Sequence, residues 1–302
     1  MAGMAHKLYW GQLKWIHPSW TFQVDLELTT RQDSLGMASP FRILQLSDPH
    51  LLADPGGRLH GRSPRTRLAH GLAEALAQLR DRGESPDRLL ISGDLCQDES
   101  WGGYVRLAEL LPAELGELLL LAGNHDHPLL LRAVLGRRAA IAPGLWPLGC
   151  QTPWNLLALH SHCSGREGGR LSAQQWTWLE RILAESGSRP LLVALHHPPV
   201  AIGDPGFDAI GLEEGERLVA LLAASPAVRA VVFGHVHQHW QGSLKERPEV
   251  PLLGCPSTLI GYGPVQPCPL GRAADPGGRL LELGAEGEIR HRLLRWAAEE
   301  CP

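Results

Sequence analysis

The decapeptide LLLLAGNHDH, residues 118–127, joins a run of apolar side chains directly to a run of polar ones. The four leucines and the alanine form a short apolar segment, which is typical of a strand buried in the middle of a sheet. The segment ends in Gly123, Asn124, His125 and Asp126, which supply an amide, an imidazole and a carboxylate. Because sites in α/β sheets form beyond the carboxyl ends of strands, this stretch predicts a functional site at its polar end.

The same pattern occurs at four other places along the chain. Each is a short apolar run that ends in aspartate or histidine: FRILQLS (41–47) before Asp48 and His50, RLLIS (88–92) before Asp94, LLVAL (191–195) before His196, and AVVF (230–233) before His235 and His237. WNLLALH (154–160) is a sixth predicted strand.

Helical patterns separate these strands. Leu68, Leu72, Ala75 and Leu79 follow helical spacing, and a second helix is predicted over residues 213–223. Ser172 and Gln175 have the spacing of a capping box, which predicts the start of another helix. Strands alternating with helices favour an α/β fold.

The composition excludes several classes of protein. The chain has 302 residues, 44% hydrophobic and 20% charged, enough to bury the core of one large domain or two small ones. The net charge is −4 and no long basic run occurs, so we expect no nucleic-acid partner, because such a partner requires many cationic contacts to phosphate. No apolar stretch approaches the roughly 20 residues that cross a bilayer, so we expect no membrane span.

The cysteines and the N-terminus lead us to expect a cytoplasmic protein. The six cysteines are scattered without a CxxC pair, which argues against a disulfide framework or a thiolate zinc site. The N-terminus lacks the residue order of a signal peptide. Residues 1–40 show no clean period, and we interpret them as an N-terminal extension preceding a functional domain at 41–302. Residues 1–36 are either a native appendage or the product of an upstream start, with Met37 as the alternative start.

The polar side chains at the strand ends form a plausible set of metal ligands. The set combines two carboxylates, one amide oxygen and four imidazoles, which suits borderline metals such as Zn, Mn or Fe better than Ca or Mg. In extended chain, side chains at i and i+2 share a face, so Asp48 with His50 and His235 with His237 are expected to point the same way. We interpret the glycines before Asp94, Asn124 and His235 as allowing sharp turns.

The order D-x-H, GD, GNHD, H-x-P and GHxH resembles the signature of the calcineurin-like metallophosphoesterases. The resemblance covers about residues 41–296. It implies an α/β fold of the α+β type, a four-layer αββα sandwich of two mixed β-sheets flanked by helices. It also implies a dinuclear metal site at the C-terminal ends of the strands.

The resemblance also assigns roles to residues. It implies that Asp48, His50 and His237 hold one metal, that Asn124, His196 and His235 hold a second, and that Asp94 bridges them. The cofactors would be two divalent or mixed-valence ions of Fe, Mn or Zn. A bridging hydroxide would attack phosphorus in line.

The resemblance implies that His125 takes the family's role of the residue that is not a ligand, and that it would contact the phosphate and stabilise or protonate the leaving oxygen. His196, rather than its neighbour His197, has the H-x-P spacing. We further hypothesise that Asp98 orients His125, with a solvated loop carboxylate as the alternative, and that Asp126 fixes the GNHD turn through backbone hydrogen bonds.

Further stretches resemble the bacterial 3′,5′-cyclic-AMP phosphodiesterase branch of this family, among them ISGDLCQDES (91–100) and LSAQQWTWLERIL (171–183). The implied reaction is hydrolysis of cyclic AMP to 5′-AMP, with a small cyclic nucleotide as the partner and a homodimer as a possible assembly. One alternative is a broader phosphodiesterase or phosphomonoesterase acting on a glycerophosphodiester, a nucleotide or a lipid head group. A non-catalytic scaffold is the other alternative.

Overall fold

The structure, a computed structural model, describes residues 39–112, 115 and 117–297. All but the last two residues of the predicted extension at 1–40, and the last five residues of the predicted domain, therefore lie outside the described residues.

Twelve strands are present in the described part of the chain. They are Phe41–Leu46 (β1), Arg88–Ile91 (β2), Leu118–Leu120 (β3), Ala139–Ile141 (β4), Gly144–Pro147 (β5), Asn155–Ala158 (β6), Leu191–Leu195 (β7), Val228–Phe233 (β8), Trp240–Ser243 (β9), Pro251–Gly254 (β10), Gly277–Leu283 (β11) and Ile289–Arg295 (β12). All six predicted strands are confirmed, each with its boundaries shifted by no more than two residues.

Six helices accompany them within the same residues. They are Pro64–Arg80 (α1), Trp101–Leu110 (α2), Pro128–Leu135 (α3), Ala173–Glu185 (α4), Pro205–Ala209 (α5) and Gly215–Ala224 (α6). None of them is long and apolar enough to span a membrane.

The strands form two six-stranded sheets. The first has the order β12-β11-β1-β2-β3-β4 and the second β5-β6-β7-β8-β10-β9. Strands β1 to β4 are parallel, whereas β11 and β12 add antiparallel pairings. In the second sheet β6, β7, β8 and β10 are parallel, and β5 and β9 are antiparallel edges. Both sheets are therefore mixed, as predicted.

Three apolar cores separate four layers. Leu44 and Leu46 of β1 pack towards α1, while Ile43, on the opposite face, packs between the sheets with Leu192 of β7. The third core lies between the second sheet and α4 and α6. Because neighbouring side chains of a strand point to opposite faces, a strand buried on both sides must be apolar almost throughout. The sandwich places the carboxyl ends of the central strands of both sheets close together.

The start of α4 differs in one detail from the predicted capping box. Ser172 Oγ accepts a hydrogen bond from the backbone N–H of Gln175, as predicted. The Gln175 side chain does not return to Ser172, because its amide bonds both backbone groups of His160. The helix is therefore capped from one side only, and Gln175 instead ties α4 to the loop after β6.

Candidate metal centre

The predicted ligands gather beyond the ends of β1, β2, β3, β7 and β8. The potential ligand atoms of Asp48, His50, Asp94 and His237 all lie within 4.8 Å of one another. A second group with the same mutual spacing contains His196, His197 and His235. All seven side chains are buried.

Asp94 connects the two groups, and Asn124 adds an oxygen to the second. Oδ2 of Asp94 lies 3.8 Å from His50 Nε2 and 3.5 Å from His196 Nε2. Oδ1 of Asn124 lies 3.2 Å from His196 Nε2 and 3.1 Å from His235 Nδ1. One carboxylate oxygen therefore faces both groups, and the amide oxygen completes the second.

The spacing of these atoms fits ligands around metal ions. Bonds of about 2.1 Å to a tetrahedral or octahedral ion place neighbouring ligand atoms roughly 3.0–3.4 Å apart. His237 Nε2 lies 3.1 Å from His50 Nε2 and 3.3 Å from Asp48 Oδ1. The mixture of imidazole nitrogen and carboxylate oxygen suits Zn, Mn or Fe. The residues present therefore fit a pair of such ions.

Three of the histidines are held by a carbonyl partner on the far side of the ring. The Nδ1 atoms of His50, His196 and His237 lie 2.7, 2.8 and 3.1 Å from the oxygens of Gln97 (side chain), Ser92 and Ile260 (backbone). A carbonyl can only accept, so each Nδ1 carries the hydrogen and each Nε2 is left bare. Bare Nε2 atoms are the form that binds metal.

His197 lies in the second group but has different partners. Its Nδ1 is 2.8 Å from Ser161 Oγ, and its Nε2 is 3.0 Å from the carbonyl oxygen of Glu167. These partners are a serine hydroxyl and a backbone carbonyl, whereas Nε2 of His196 faces Asp94 and Asn124, which are both predicted ligands. This favours His196 over His197 as the ligand, as the H-x-P spacing predicts.

Burial and mutual charge set the ionisation of the centre. Burial alone would raise the pKa of Asp94, but His196 and His50 beside it hold that pKa well below its usual value. Burial lowers the pKa of His50 to about 4 and that of His235 to about 3. Burial would also lower the pKa of His196, but Asp94 outweighs it and raises this pKa to about 9. The centre thus combines an ionised Asp94 with neutral rings at His50 and His235 and a charged ring at His196, which must release a proton before it can bind metal.

The backbone of the centre is left-handed at five of the predicted ligands. Eight non-glycine residues among those described have positive φ, and Asp48, His50, Asp94, His235 and His237 are five of them, with φ between 48° and 69°. We predicted that Asp48 with His50, and His235 with His237, point the same way because the chain is extended, and that reason is wrong. These side chains converge because the chain coils tightly after each strand, not because it is extended.

The glycines at the strand ends serve two purposes. Gly93 has a φ of 107°, which agrees with the predicted sharp turn. Gly123 and Gly234 do not have positive φ. Glycine is needed at these two positions because neighbouring atoms leave no room for a Cβ. A Cβ on Gly123 would lie 2.5 Å from Asp94 N and 2.7 Å from His196 Nε2, and one on Gly234 would lie 2.5 Å from the carbonyl oxygen of Ser92.

Asp126 fixes the GNHD turn, as predicted. Its Oδ2 accepts from the N–H of Gly123 at 2.8 Å and of Leu95 at 3.0 Å, and its Oδ1 accepts from Cys96 N–H and the Tyr104 hydroxyl, both at 3.0 Å. This buried carboxylate therefore joins the loops after β2 and β3, which carry Asp94 and Asn124.

The hypothesis that Asp98 orients His125 is wrong. The Asp98 carboxylate accepts from Ala53 N, Cys96 Sγ and Ser100 Oγ, and His125 is not among its hydrogen-bond partners in the described residues. The partner of His125 is Gln97, whose Nε2 lies 3.1 Å from His125 Nδ1. Gln97 was not identified from the sequence, because a glutamine after a Gly-Asp turn is not a typical catalytic residue or metal ligand. Its position three residues after Asp94 is the only feature of the sequence that could have indicated it.

A cavity of about 630 Å³ opens over the centre. Its inner wall contains Asp94, Asn124 and His125 together with the rings of three predicted ligands. Its outer wall combines polar and charged residues, His60, Glu167 and Asp204, with a larger set of apolar and aromatic ones: Leu59, Phe207, Ile210, Leu259, Ile260 and Tyr262.

The two aromatic residues of the outer wall adjoin the histidines. The Phe207 ring centroid is 5.6 Å from that of His235 and 5.7 Å from that of Tyr262, and Tyr262 is 5.0 Å from His237. Tyr262 is 39% exposed, so part of its ring is open to a ligand.

Comparison with known proteins identifies the family. The model of the calcineurin-like phosphoesterases matches residues 41–239, a range that includes every predicted ligand. The chain belongs to the calcineurin-like phosphoesterases. Membership makes it a phosphoric ester hydrolase, and the family uses the type of dinuclear centre that the candidate ligands fit.

Several relatives of this phosphoesterase carry more specific names. It is 50% identical over 268 residues to a Synechococcus sp. (strain WH7803) protein named "Probable cyclic nucleotide phosphodiesterase", covering 86% of this chain and 98% of that one. It is 33% identical to each of two proteins named 3′,5′-cyclic adenosine monophosphate phosphodiesterase. The Pseudomonas aeruginosa protein aligns over 84% of this chain and 89% of its own length, and the Escherichia coli (strain K12) protein over 85% and 90%.

A solved structure shares the fold. A dimetal phosphatase from Danio rerio superposes with a TM-score of 0.57 at 12% identity, covering 86% of this phosphoesterase and all of that chain. This likeness supports the four-layer architecture alone.

Proposed function

We propose that this phosphoesterase is a metal-dependent phosphodiesterase that hydrolyses 3′,5′-cyclic AMP to 5′-AMP. The observation that carries the proposal is the cavity, which is lined both by predicted metal ligands and by the aromatic rings of Phe207 and Tyr262 beside them. A cyclic nucleotide has the same two parts, a phosphodiester and a nucleoside. The names of the relatives in Synechococcus, Pseudomonas and Escherichia point to the same substrate class.

The inner wall would hold the ions. Asp48, His50 and His237 would bind one, Asn124, His196 and His235 the other, and Asp94 both. When bound, such ions act as Lewis acids that lower the pKa of water and offset the charge of the phosphoryl oxygens. Their identity is proposed to be Fe, Mn or Zn, since this set of ligands accepts each of them.

The protein's own contribution to the chemistry centres on His125. Its backbone N–H donates to Asp94 Oδ1 at 2.9 Å, which fixes the residue beside the bridging carboxylate. Its ring lines the cavity at an angle of 68° to His50, with a centroid distance of 5.3 Å. We assign it a hydrogen bond from the ring to the 3′ oxygen as that oxygen leaves phosphorus, which stabilises the negative charge developing there. Removing one such donor to a developing oxyanion typically lowers kcat by 10²–10³-fold.

The outer wall would hold the nucleoside. Phe207 and Tyr262 approach the histidine rings from two separate segments, so a purine stacked on either would place the attached cyclic phosphate towards the inner wall. Stacking of a base on an aromatic side chain contributes about 1–3 kcal/mol. A glycerophosphodiester offers nothing to stack on these rings.

Steady-state assays on protein of known metal content test the proposal. The substrates are cyclic AMP, cyclic GMP, 2′,3′-cyclic AMP, glycerophosphocholine and bis-p-nitrophenyl phosphate. We expect the highest kcat/KM for a 3′,5′-cyclic nucleotide. A kcat/KM for glycerophosphocholine or the generic diester well above that for cyclic AMP would refute the substrate assignment. Complete inactivity with all five substrates at full metal content would indicate a non-catalytic scaffold.

A further inference from the structure

The Gln97 side chain lies between two histidines of the site. Its Oε1 is 2.7 Å from His50 Nδ1, and its Nε2 is 3.1 Å from His125 Nδ1. The oxygen of a primary amide only accepts hydrogen bonds, and its nitrogen only donates them. The two ends of Gln97 therefore impose opposite protonation on the Nδ1 atoms of the two rings.

His50 determines which way the amide faces. Its Nε2 lies 3.1 Å from His237 Nε2 and 3.8 Å from Asp94 Oδ2, so Nε2 is the nitrogen directed into the centre. An imidazole nitrogen that binds metal carries no hydrogen, which places the hydrogen of His50 on Nδ1. That N–H requires an acceptor, so Gln97 presents its oxygen to His50 and its NH₂ group to His125.

His125 then has only one tautomer that fits. Its Nδ1 must accept from the NH₂ group of Gln97, so the ring hydrogen resides on Nε2. His125 Nε2 has no hydrogen-bond partner among the residues that the structure describes, and the ring lines the cavity. Nε2–H is therefore free to meet a ligand.

We propose that Gln97 is a positioning residue, which transmits the tautomer of His50 to His125 and so presents an Nε2–H donor to the phosphoester. The inference rests on the proposed function in that it takes His125 to contact the substrate. A glutamate at this position would accept from both rings and would place a hydrogen on Nδ1 of His125. An isosteric methionine would leave the ring without a preferred tautomer.

Nitrogen NMR of the histidine rings tests the tautomer directly. Protein with ¹⁵N-labelled histidine, both metal-free and zinc-loaded, is compared with Gln97→Glu and Gln97→Met, and the His125 signal is identified by its loss in His125→Gln. We expect a bare Nδ1 and a protonated Nε2 on His125 in the zinc-loaded protein, a protonated Nδ1 in Gln97→Glu, and a mixture in Gln97→Met. A protonated Nδ1 in the zinc-loaded natural protein, or a spectrum unaffected by Gln97→Glu, would overturn the proposal.

Kinetics of the methionine variant supply an independent readout. We expect Gln97→Met to lower kcat for cyclic AMP about tenfold with KM changed less than twofold, and to have no effect in a His125→Ala background, because residues acting through one another are not additive. If Gln97→Met lowers kcat about tenfold in the His125→Ala protein as well, Gln97 does not act through His125 and the proposal is refuted. Gln175→Met is the matched control. It removes another buried side-chain amide, one that bonds the backbone of His160, and it should leave kcat and the NMR signal of His125 unchanged.

These experiments separate the two proposals. If cyclic AMP is not hydrolysed, the proposed substrate fails, while the NMR spectra still decide the role of Gln97. If cyclic AMP is hydrolysed and His125 Nδ1 is protonated, only the role of Gln97 fails.

Discussion

The Nε2 atoms of His50 and His237 lie 3.1 Å apart, although the two residues follow β1 and β8, which belong to different sheets. The proposed ligands are divided in the same way. Asp48, His50, Asp94 and Asn124 follow strands of the first sheet, and the three remaining histidines follow strands of the second. Bound ions would therefore link the two halves of the sandwich.

Removal of metal should lower thermal stability for this reason. A ligand that binds only the folded state stabilises it by about 2.7 kcal/mol at 100 times its Kd. For a domain of this size we expect chelation to lower Tm by roughly 5–10 °C, with recovery on adding zinc or manganese. Differential scanning fluorimetry measures the shift. His196→Ala should abolish most of it, and an identical Tm with and without chelator would argue against a metal centre.

Gly123→Ala should disrupt the centre without altering a single ligand. The new Cβ would lie 2.7 Å from His196 Nε2 and still closer to atoms of Asp94. We expect a loss of about 3 kcal/mol in the free energy of unfolding and a sharp drop in bound metal, measured by urea denaturation and elemental analysis. The control is Gly56→Ala, where the nearest atom to the new Cβ is 3.5 Å away, an ordinary contact. Full metal content in Gly123→Ala would contradict the packing argument.

His125→Ala should separate chemistry from metal binding. His125 belongs to neither group of clustered ligand atoms, so the variant should retain its metals. We expect kcat for cyclic AMP to fall by 10²–10³-fold, as is typical for the loss of one hydrogen-bond donor to a developing oxyanion. His127→Ser serves as the control, since serine can still cap α3 as His127 does, and its kcat should stay within twofold. A loss below tenfold in His125→Ala would remove His125 from the proposed mechanism.

Phe207→Ala and Tyr262→Ala should each weaken binding of the nucleoside. We expect KM for cyclic AMP to rise about tenfold, which corresponds to about 1.4 kcal/mol, within the range for base stacking. KM for ribose 3′,5′-cyclic phosphate, which has no base, should change by less than twofold. Trp101→Ala removes an exposed aromatic ring that does not line the cavity and should affect neither substrate. Equal changes in KM for both substrates would place the nucleoside elsewhere.

His291 should make stability depend on pH. Its Nδ1 accepts from Arg279 Nη1 at 3.0 Å, and burial together with Arg279 lowers its pKa to about 4. Between this value and the unfolded pKa near 6.5, only the unfolded chain binds the proton, so stability is complete above pH 6.5 and is lost as pH falls towards 4.

Urea denaturation at pH 7.5 and pH 5 tests the contribution of His291. We expect His291 to account for about 1 kcal/mol of the loss between these values, since the ring is only half-buried. His291→Gln keeps an acceptor for Arg279 but does not titrate. The stability that this variant loses between pH 7.5 and pH 5 should therefore be smaller by about 1 kcal/mol. An unchanged pH dependence in this variant would show that His291 does not contribute.

Much of the fold could be predicted from the sequence, because the central strands are continuous apolar runs. Strands β5 and β9 could not, since GLWP and WQGS are short edge strands in which polar, small and aromatic residues break any period. The order of the first sheet depends on β11 returning to pair with β1, a contact between residues more than 230 positions apart, and on β12 pairing with β11.

The sequence allowed the candidate ligands to be named, but it did not allow the geometry of the candidate site to be predicted. Ligand types and their order along the chain were apparent, whereas the left-handed backbone and the amide of Gln97 depend on packing between loops. Asp98 and Gln97 are adjacent in sequence, and only the turn after β2 determines which of them faces His125.

The left-handed conformation of Asp48, His50, Asp94, His235 and His237 bears on how this protein can be engineered. Each such residue costs on the order of 1–3 kcal/mol relative to a relaxed backbone. Glycine at any of these positions would relieve that strain, but it would also remove a proposed ligand and leave a cavity where a buried side chain packs. Stabilising substitutions are therefore best sought away from the centre, where improved folding does not compete with turnover.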